Sequence, residues 1–132
     1  MSKIFNISEA ATIGLHAMAL IAKNHDGLNA LQIADITGFS KNHISKVLQQ
    51  LVKNGLLTST RGPKGGFVLK KEAEEINLMD IYRLIEGDID NDTVCKINCT
   101  ECPFKNCILG GFKEKFRAEF REYLVNQKLS MV

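Results

Sequence analysis

The chain has 132 residues, 45% hydrophobic and 24% charged, with two prolines and a formal net charge of +2. That is enough apolar material for one ordinary core and too little bias for a disordered, collagenous or disulfide-dense protein. No apolar run approaches the roughly 20 residues of a membrane span, and Met1-Ser2-Lys3-Ile4-Phe5 lacks the long apolar stretch of a secretory signal, so a cytoplasmic location is expected.

Ser8 is placed to cap a first helix. Ala10, Ile13, Leu15, Ala17, Met18, Leu20, Ile21 and Ala22 make that helix apolar around most of its circumference, the mark of an element buried between others. The polar stretch 24–27 ends it. Asn29, followed by Gln32, resembles a capping box and opens a second helix that runs through Thr37 and stops at Gly38. Ser40 caps a third, whose apolar positions Ile44, Val47, Leu48, Leu51 and Val52 keep helical spacing until Asn54-Gly55. Joined by so short a connection, the second and third helices must cross. Ala34 lets them approach, Gly38 permits the left-handed turn and Ile44 fills the junction, which makes a helix-turn-helix. Residues 56–61 and 67–69 then read as two strands around the turn Gly62-Pro63-Lys64-Gly65-Gly66, a basic wing.

Charge is sorted along this region. Residues 40–71 carry seven basic side chains, Lys41, Lys46, Lys53, Arg61, Lys64, Lys70 and Lys71, and no Asp or Glu; residues 72–92 carry eight acids against Arg83 alone. One face is therefore suited to a polyanion and another is turned away from it. Lys41, Asn42, His43, Ser45, Lys46, Gln49 and Gln50 are the outward positions of the third helix, able to donate and accept hydrogen bonds at base edges and phosphates. A merely solvated helix face has the same composition; the basic hairpin that follows is what favours DNA. Arg61 and Lys64 at the wing tip suit a minor groove, and the glycines would bring backbone N–H groups up to phosphates. No Ser-His-Asp order, phosphate-cradling glycine loop or paired carboxylates support an enzyme.

Asn77 caps a short helix over 78–86 that Gly87 ends. Next, Cys95-x3-Cys99-x2-Cys102-Pro103-x4-Cys107 places four thiols within thirteen residues, between Asp92 and Gly110-Gly111. In a reducing compartment these read as soft-metal ligands or redox sensors before a disulfide framework. Their spacing alone does not choose between zinc and an iron–sulfur cluster, and ordinary thiols are the bland alternative. His16, within the first helix, and His25, in a turn, are weaker ligand candidates. After the cysteines, Phe112, Phe116, Phe120 and Leu124 recur every four residues on a long helix, with Ile108 in line before them. Such a stripe is either internal core or a seam with the same helix of a second subunit.

The stretch Lys53-Asn54-Gly55-Leu56-Leu57 through Arg61-Gly62-Pro63-Lys64-Gly65-Gly66-Phe67, placed between a helix-turn-helix and a cysteine cluster, resembles the Rrf2 family of bacterial winged-helix transcription regulators over almost the whole chain. The resemblance implies a homodimer on a partly palindromic DNA operator, with the third helix in the major groove and the wing in the minor groove. By it Asn42, His43, Ser45 and Lys46 stand where the family reads bases. It also implies a [2Fe-2S] or [4Fe-4S] cluster on three loop cysteines, with a nearby His or an acidic residue of the partner's first helix as fourth ligand. This chain departs there: no histidine follows Cys107, and Thr12 occupies the acidic position, with Glu9 close by. Cys95, Cys102 and Cys107 are the family-like set and Cys99 the substitute fourth ligand.

The expected architecture is mainly α with a small β-hairpin, a winged helix-turn-helix over 1–76 and a cysteine loop with a dimerisation helix over 77–132. The expected function is an operator-binding regulator, a repressor, switched by an iron–sulfur cluster. The alternatives are a clusterless regulator governed by a partner protein or thiol oxidation, and a small iron–sulfur electron carrier; the carrier has no need of the basic helix and wing.

Overall fold

The computed structural model describes residues 7–62, 65–89 and 102–132. Lys64, Cys95 and Cys99 lie outside them. The described chain is mainly helical with one two-stranded antiparallel hairpin, as the sequence leads one to expect. Helix α1 spans Glu9–Lys23, α2 Ala30–Thr37, α3 Lys41–Lys53, α4 Leu78–Glu86 and α5 Phe112–Asn126; strands β1 and β2 span Leu57–Thr60 and Gly66–Leu69.

The helix starts follow capping chemistry. Ser8, Asn29, Ser40 and Asn77 each accept a hydrogen bond from a first-turn backbone N–H, and Asn29 with Gln32 and Asn77 with Asp80 complete reciprocal capping boxes. Each cap removes an orphan donor, worth about 1 kcal/mol. Helix α1 runs through the centre of the molecule with Ala11, Ile13, Ala17, Met18 and Ile21 buried, and packs on both α3 and α4. Gly14 faces α4 so closely that a Cβ there would collide with the Ile85 δ-methyl. Ile44, Val47, Leu48 and Leu51 of α3 close the other side of the core.

Two connections have no counterpart in the sequence reading. Leu28, between α1 and α2, pairs with Phe67 of the wing as an isolated antiparallel bridge, Leu28 N donating to Phe67 O at 3.1 Å and Phe67 N to Leu28 O at 2.7 Å. Near the chain's end Leu129 is 1% exposed and belongs to the same core as α1 and α3. It is fixed there by an Asn77–Lys128 bridge and by Leu129 N donating to Ile76 O at 2.8 Å. A 3-10 turn over Ala73–Glu75 leads into that bridge.

The aromatic stripe of α5 divides. Leu124 is buried and Phe120 meets Tyr82 of α4 edge to face, centroids 5.5 Å apart, whereas Phe112 is 66% exposed and stacks on Phe116 at 6.4 Å. A four-residue repeat advances about 40° per step around a 3.6-residue helix. Over three steps it winds far enough to carry one end into the core and leave the other outside.

Candidate nucleic-acid interface

The helix-turn-helix closes on Gly38, whose φ of 80° is left-handed and whose N–H donates to Ala34 O at 2.8 Å. Ile44, fully buried, fills the junction beneath it. Thr37 Oγ1 donates to Ile33 O at 2.7 Å and accepts from Phe39 N, which fixes the two residues leading into α3.

With Ile44, Val47, Leu48 and Leu51 turned inward, Lys41, Asn42, Lys46 and Gln49 are exposed on the opposite face of α3, and His43 and Ser45 are half-buried at its edge. Gln50 does something different from its outward neighbours: its Nε2 donates to Leu84 O at 2.7 Å, tying α3 to α4. His43 is also drawn to a neighbour, its Nδ1 standing 3.8 Å from Glu9 Oε1 at the start of α1. Glu9 could not be assigned to this face from sequence, because thirty-odd residues separate it from α3 and only the α1–α3 packing brings it there.

The wing aligns Thr58 with Val68, Ser59 with Phe67 and Thr60 with Gly66, with Ser59, Thr60 and Arg61 exposed. Its glycines serve the hairpin itself. Gly65 N donates to Gly62 O at 2.8 Å, Gly66 N to Thr60 Oγ1 at 3.1 Å, and a Cβ on Gly66 would stand 2.9 Å from the Leu28 carbonyl. Those two N–H groups are thus already engaged, and the expectation that they wait for phosphates gives way to close backbone approach. Between wing and helices lies a cleft of about 370 Å³ lined by Asn29, Leu31, Lys41, Ser59 and Thr60, without an acidic side chain.

Where the start of α1 meets α4, acidic side chains are hydrogen-bonded or ion-paired. Ser8 Oγ donates to Glu86, the last residue of α4, while Arg83 pairs with Asp88 at 3.4 Å. Burial, with the Glu86 carboxylate adding to it, raises the Tyr82 phenol above its ordinary 10.0. Of the four cysteines, Cys102 and Cys107 are described: both are free thiols and exposed. Among the described residues no three His, Cys, Asp or Glu side chains are grouped to hold a metal. His16 is exposed, its Nδ1 2.7 Å from Thr12 O, and His25 lies exposed beyond the end of α1. Among the described residues no helix is long and apolar enough to cross a membrane.

Known proteins share this arrangement. The chain is 30% identical over 120 residues to a protein of Aquifex aeolicus named as an HTH-type transcriptional regulator, covering 88% of this chain and 83% of that one. CymR, the global cysteine regulator of B. subtilis, superposes with a TM-score of 0.79 and 29% identity over 96% of this chain and 95% of its own. The IscR of T. potens does so with a TM-score of 0.74 and 25% identity over 96% and 85%. The sequence pattern of the Rrf2 family, described as an iron-dependent transcriptional regulator, matches residues 7–132. An acid-free recognition helix, a basic wing docked beside it and a match over nearly the full length agree: this chain belongs to the Rrf2 family and is a DNA-binding transcriptional regulator of that type.

Proposed function

We propose that the protein is a cytoplasmic homodimer that represses transcription by binding a partly palindromic operator, and that an iron–sulfur cluster on Cys95, Cys99, Cys102 and Cys107 sets its operator affinity. Residues 1–76 form the DNA-reading part and 77–132 the sensing and dimerising part. Asn42, His43, Ser45 and Lys46 read bases, Lys41 and Gln49 contact the flanking backbone, and Arg61 and Lys64 follow the minor groove. The observation that carries the DNA half is the acid-free face of α3 and the wing, which converge on one cleft bordered by Lys41. For the sensing half the support is chemical: four soft thiolates close in sequence, two of them exposed, in a family described as iron-dependent. A bound cluster would supply a centre open to oxygen, nitric oxide or cluster loss. This chain's own contribution is the thiolates and the α4 terminus, where Glu86 and Gly87 lead into the cysteine segment while Ser8 and Gln50 tie α4 to α1 and α3.

Exposed free thiols at Cys102 and Cys107 also suit a clusterless regulator governed by thiol oxidation. One preparation separates the two readings. Protein purified without air is analysed for iron, sulfide and visible absorption, then titrated with its operator before and after oxidation. Cys102→Ala or Cys107→Ala should abolish the absorption and change operator affinity. Anaerobic protein that contains neither iron nor sulfide, yet loses DNA on thiol oxidation, would replace the cluster by a thiol switch.

A further inference from the structure

We infer that Gln50 is a positioning residue that links the turn entering the cysteine segment to the DNA-reading helix: its side-chain amide holds the last turn of α4, so that unwinding of that turn at Gly87 releases α3. This rests on the proposed role of the cysteine segment as the sensor.

The last four carbonyls of a helix find no N–H within it. In α4 they begin at Arg83, whose carbonyl accepts from Gly87 N at 2.9 Å. The next, Leu84 O, is met from outside the helix, by Gln50 Nε2 at 2.7 Å. Gln50 is itself held at its root, since its carbonyl accepts both Asn54 N at 3.1 Å and Asn54 Nδ2 at 2.8 Å. The two residues that follow Leu84 are gripped by α1. Ile85 lies over Gly14, where a Cβ would stand 2.2 Å from its δ-methyl, and Glu86 accepts from Ser8 Oγ. Three consecutive residues at the end of α4 are thus fastened, and of these contacts the Gln50 bond is the one that reaches α3.

Gly87 follows at once, with φ 85° and ψ 177°, a backbone region open essentially to glycine alone. Nothing stands within 4 Å of where its Cβ would be, so the position asks for glycine because of its posture and not for space. The chain leaves α4 here on its way to Cys95. The turn therefore has two discrete arrangements, wound with Gly87 in this posture or unwound, and the segment beyond it biases the choice. Unwinding draws Leu84 O away from Gln50. Helix α3 then keeps its apolar anchors Val47, Leu48 and Leu51 in the core but loses the directional bond that sets how its polar face is presented.

The test is a double-mutant cycle on the full chain, with Gly87→Ala, Gln50→Met and the two together. Gly87→Ala strains the turn without striking any atom, and Gln50→Met keeps the side chain's length but donates nothing. The probe is a duplex that the wild-type protein selects from a random-sequence pool, titrated well below every melting midpoint. Gly87→Ala should lower affinity roughly two- to tenfold when Gln50 is present, the range set by one hydrogen bond. In the Gln50→Met background it should change affinity by less than about twofold, the limit for independent sites. Coupling between sites is reciprocal, so the duplex should slow hydrogen exchange at the Gly87 amide in wild type and not in Gln50→Met. Effects that simply add, an affinity unmoved by Gly87→Ala, or equal protection of that amide in both proteins would overturn the proposal. Titration before and after oxidation of the cysteines tests the reading beneath it. Wild-type affinity should shift, and shift less in Gln50→Met. A shift undiminished in Gln50→Met overturns the link and upholds the sensor, whereas an affinity that ignores the cysteines beside an intact cycle upholds the link and refutes the sensor.

Discussion

Replacing Gly66 by alanine tests whether the wing is held by backbone contact. The added Cβ would lie 2.9 Å from both the carbonyl carbon and oxygen of Leu28 and 3.2 Å from Asn29 N. All three are main-chain atoms, so no rotamer change relieves the contact. The strand must move, and with it the two hydrogen bonds between Leu28 and Phe67 at 3.1 and 2.7 Å. Each is worth about 0.5–1.5 kcal/mol net, so losing both costs about 1–3 kcal/mol. With a urea slope of about 1–3 kcal/mol/M for a small protein, the midpoint should fall by roughly 1 M at unchanged slope. Ser59→Ala, on an exposed position of the same hairpin, should stay within about 0.5 kcal/mol of wild type. DNA titration of the still-folded Gly66→Ala protein should show affinity lowered about as far as in Arg61→Ala, since a wing free of Leu28 no longer presents its tip in a fixed place. A Gly66→Ala midpoint equal to wild type would refute the docking argument.

Operator affinity should fall linearly on a logarithmic salt scale, and Arg61→Ala should weaken binding and reduce that slope by about one; an unchanged slope by filter binding removes Arg61 from the phosphate contacts. Phe116→Asp, next to the exposed Phe112, should give a folded monomer in sedimentation because an unpaired charge is not tolerated in a closed seam, whereas Lys113→Ala should remain dimeric. The Tyr82 phenol is raised above 10.0 by burial, then by Glu86. Its contribution to stability is therefore fully present below about pH 10 and lost as pH rises through the folded-state value, and Tyr82→Phe should unfold less steeply with alkali in urea titrations. If wild type and Tyr82→Phe decline in parallel, the phenol is not responsible.

The helix boundaries were legible because they are local. Ser8, Asn29, Ser40 and Asn77 do their capping within three residues, and the inward set Ile44, Val47, Leu48 and Leu51 is a matter of helical period. The polar face of α3 follows from that period too. What pairing across distance decides was hidden: Glu9 beside His43, Gln50 bonded to Leu84, Leu28 bridged to Phe67. Nothing in the identity of a Glu or Gln says which carbonyl or ring it will meet. The wing glycines were visible as a motif, but the close approach of Gly65 and Gly66 to the chain itself was not, since that and an approach to phosphate use the same residue. The repeat of Phe112, Phe116, Phe120 and Leu124 hid its own division, because spacing by four winds slowly around a helix and a short list of residues does not show where the neighbour ends.

Leu129 bears on how the protein is made. The core beneath α3 receives a side chain that the ribosome releases only after α5 has been synthesised, although α3 and the wing have emerged long before. Domains ordinarily fold from the N-terminal end as they appear, but here the head waits for a late residue to fill its interior. A message broken between α4 and Leu129 yields a head with a leucine-sized void, weaker by about 2–5 kcal/mol on the scale of buried leucine loss. That is a large share of a native protein's total stability of about 5–15 kcal/mol. Fragments that end before Leu129 would thus be poorly folded and readily cleared by proteases, so a truncated helix-turn-helix head does not accumulate.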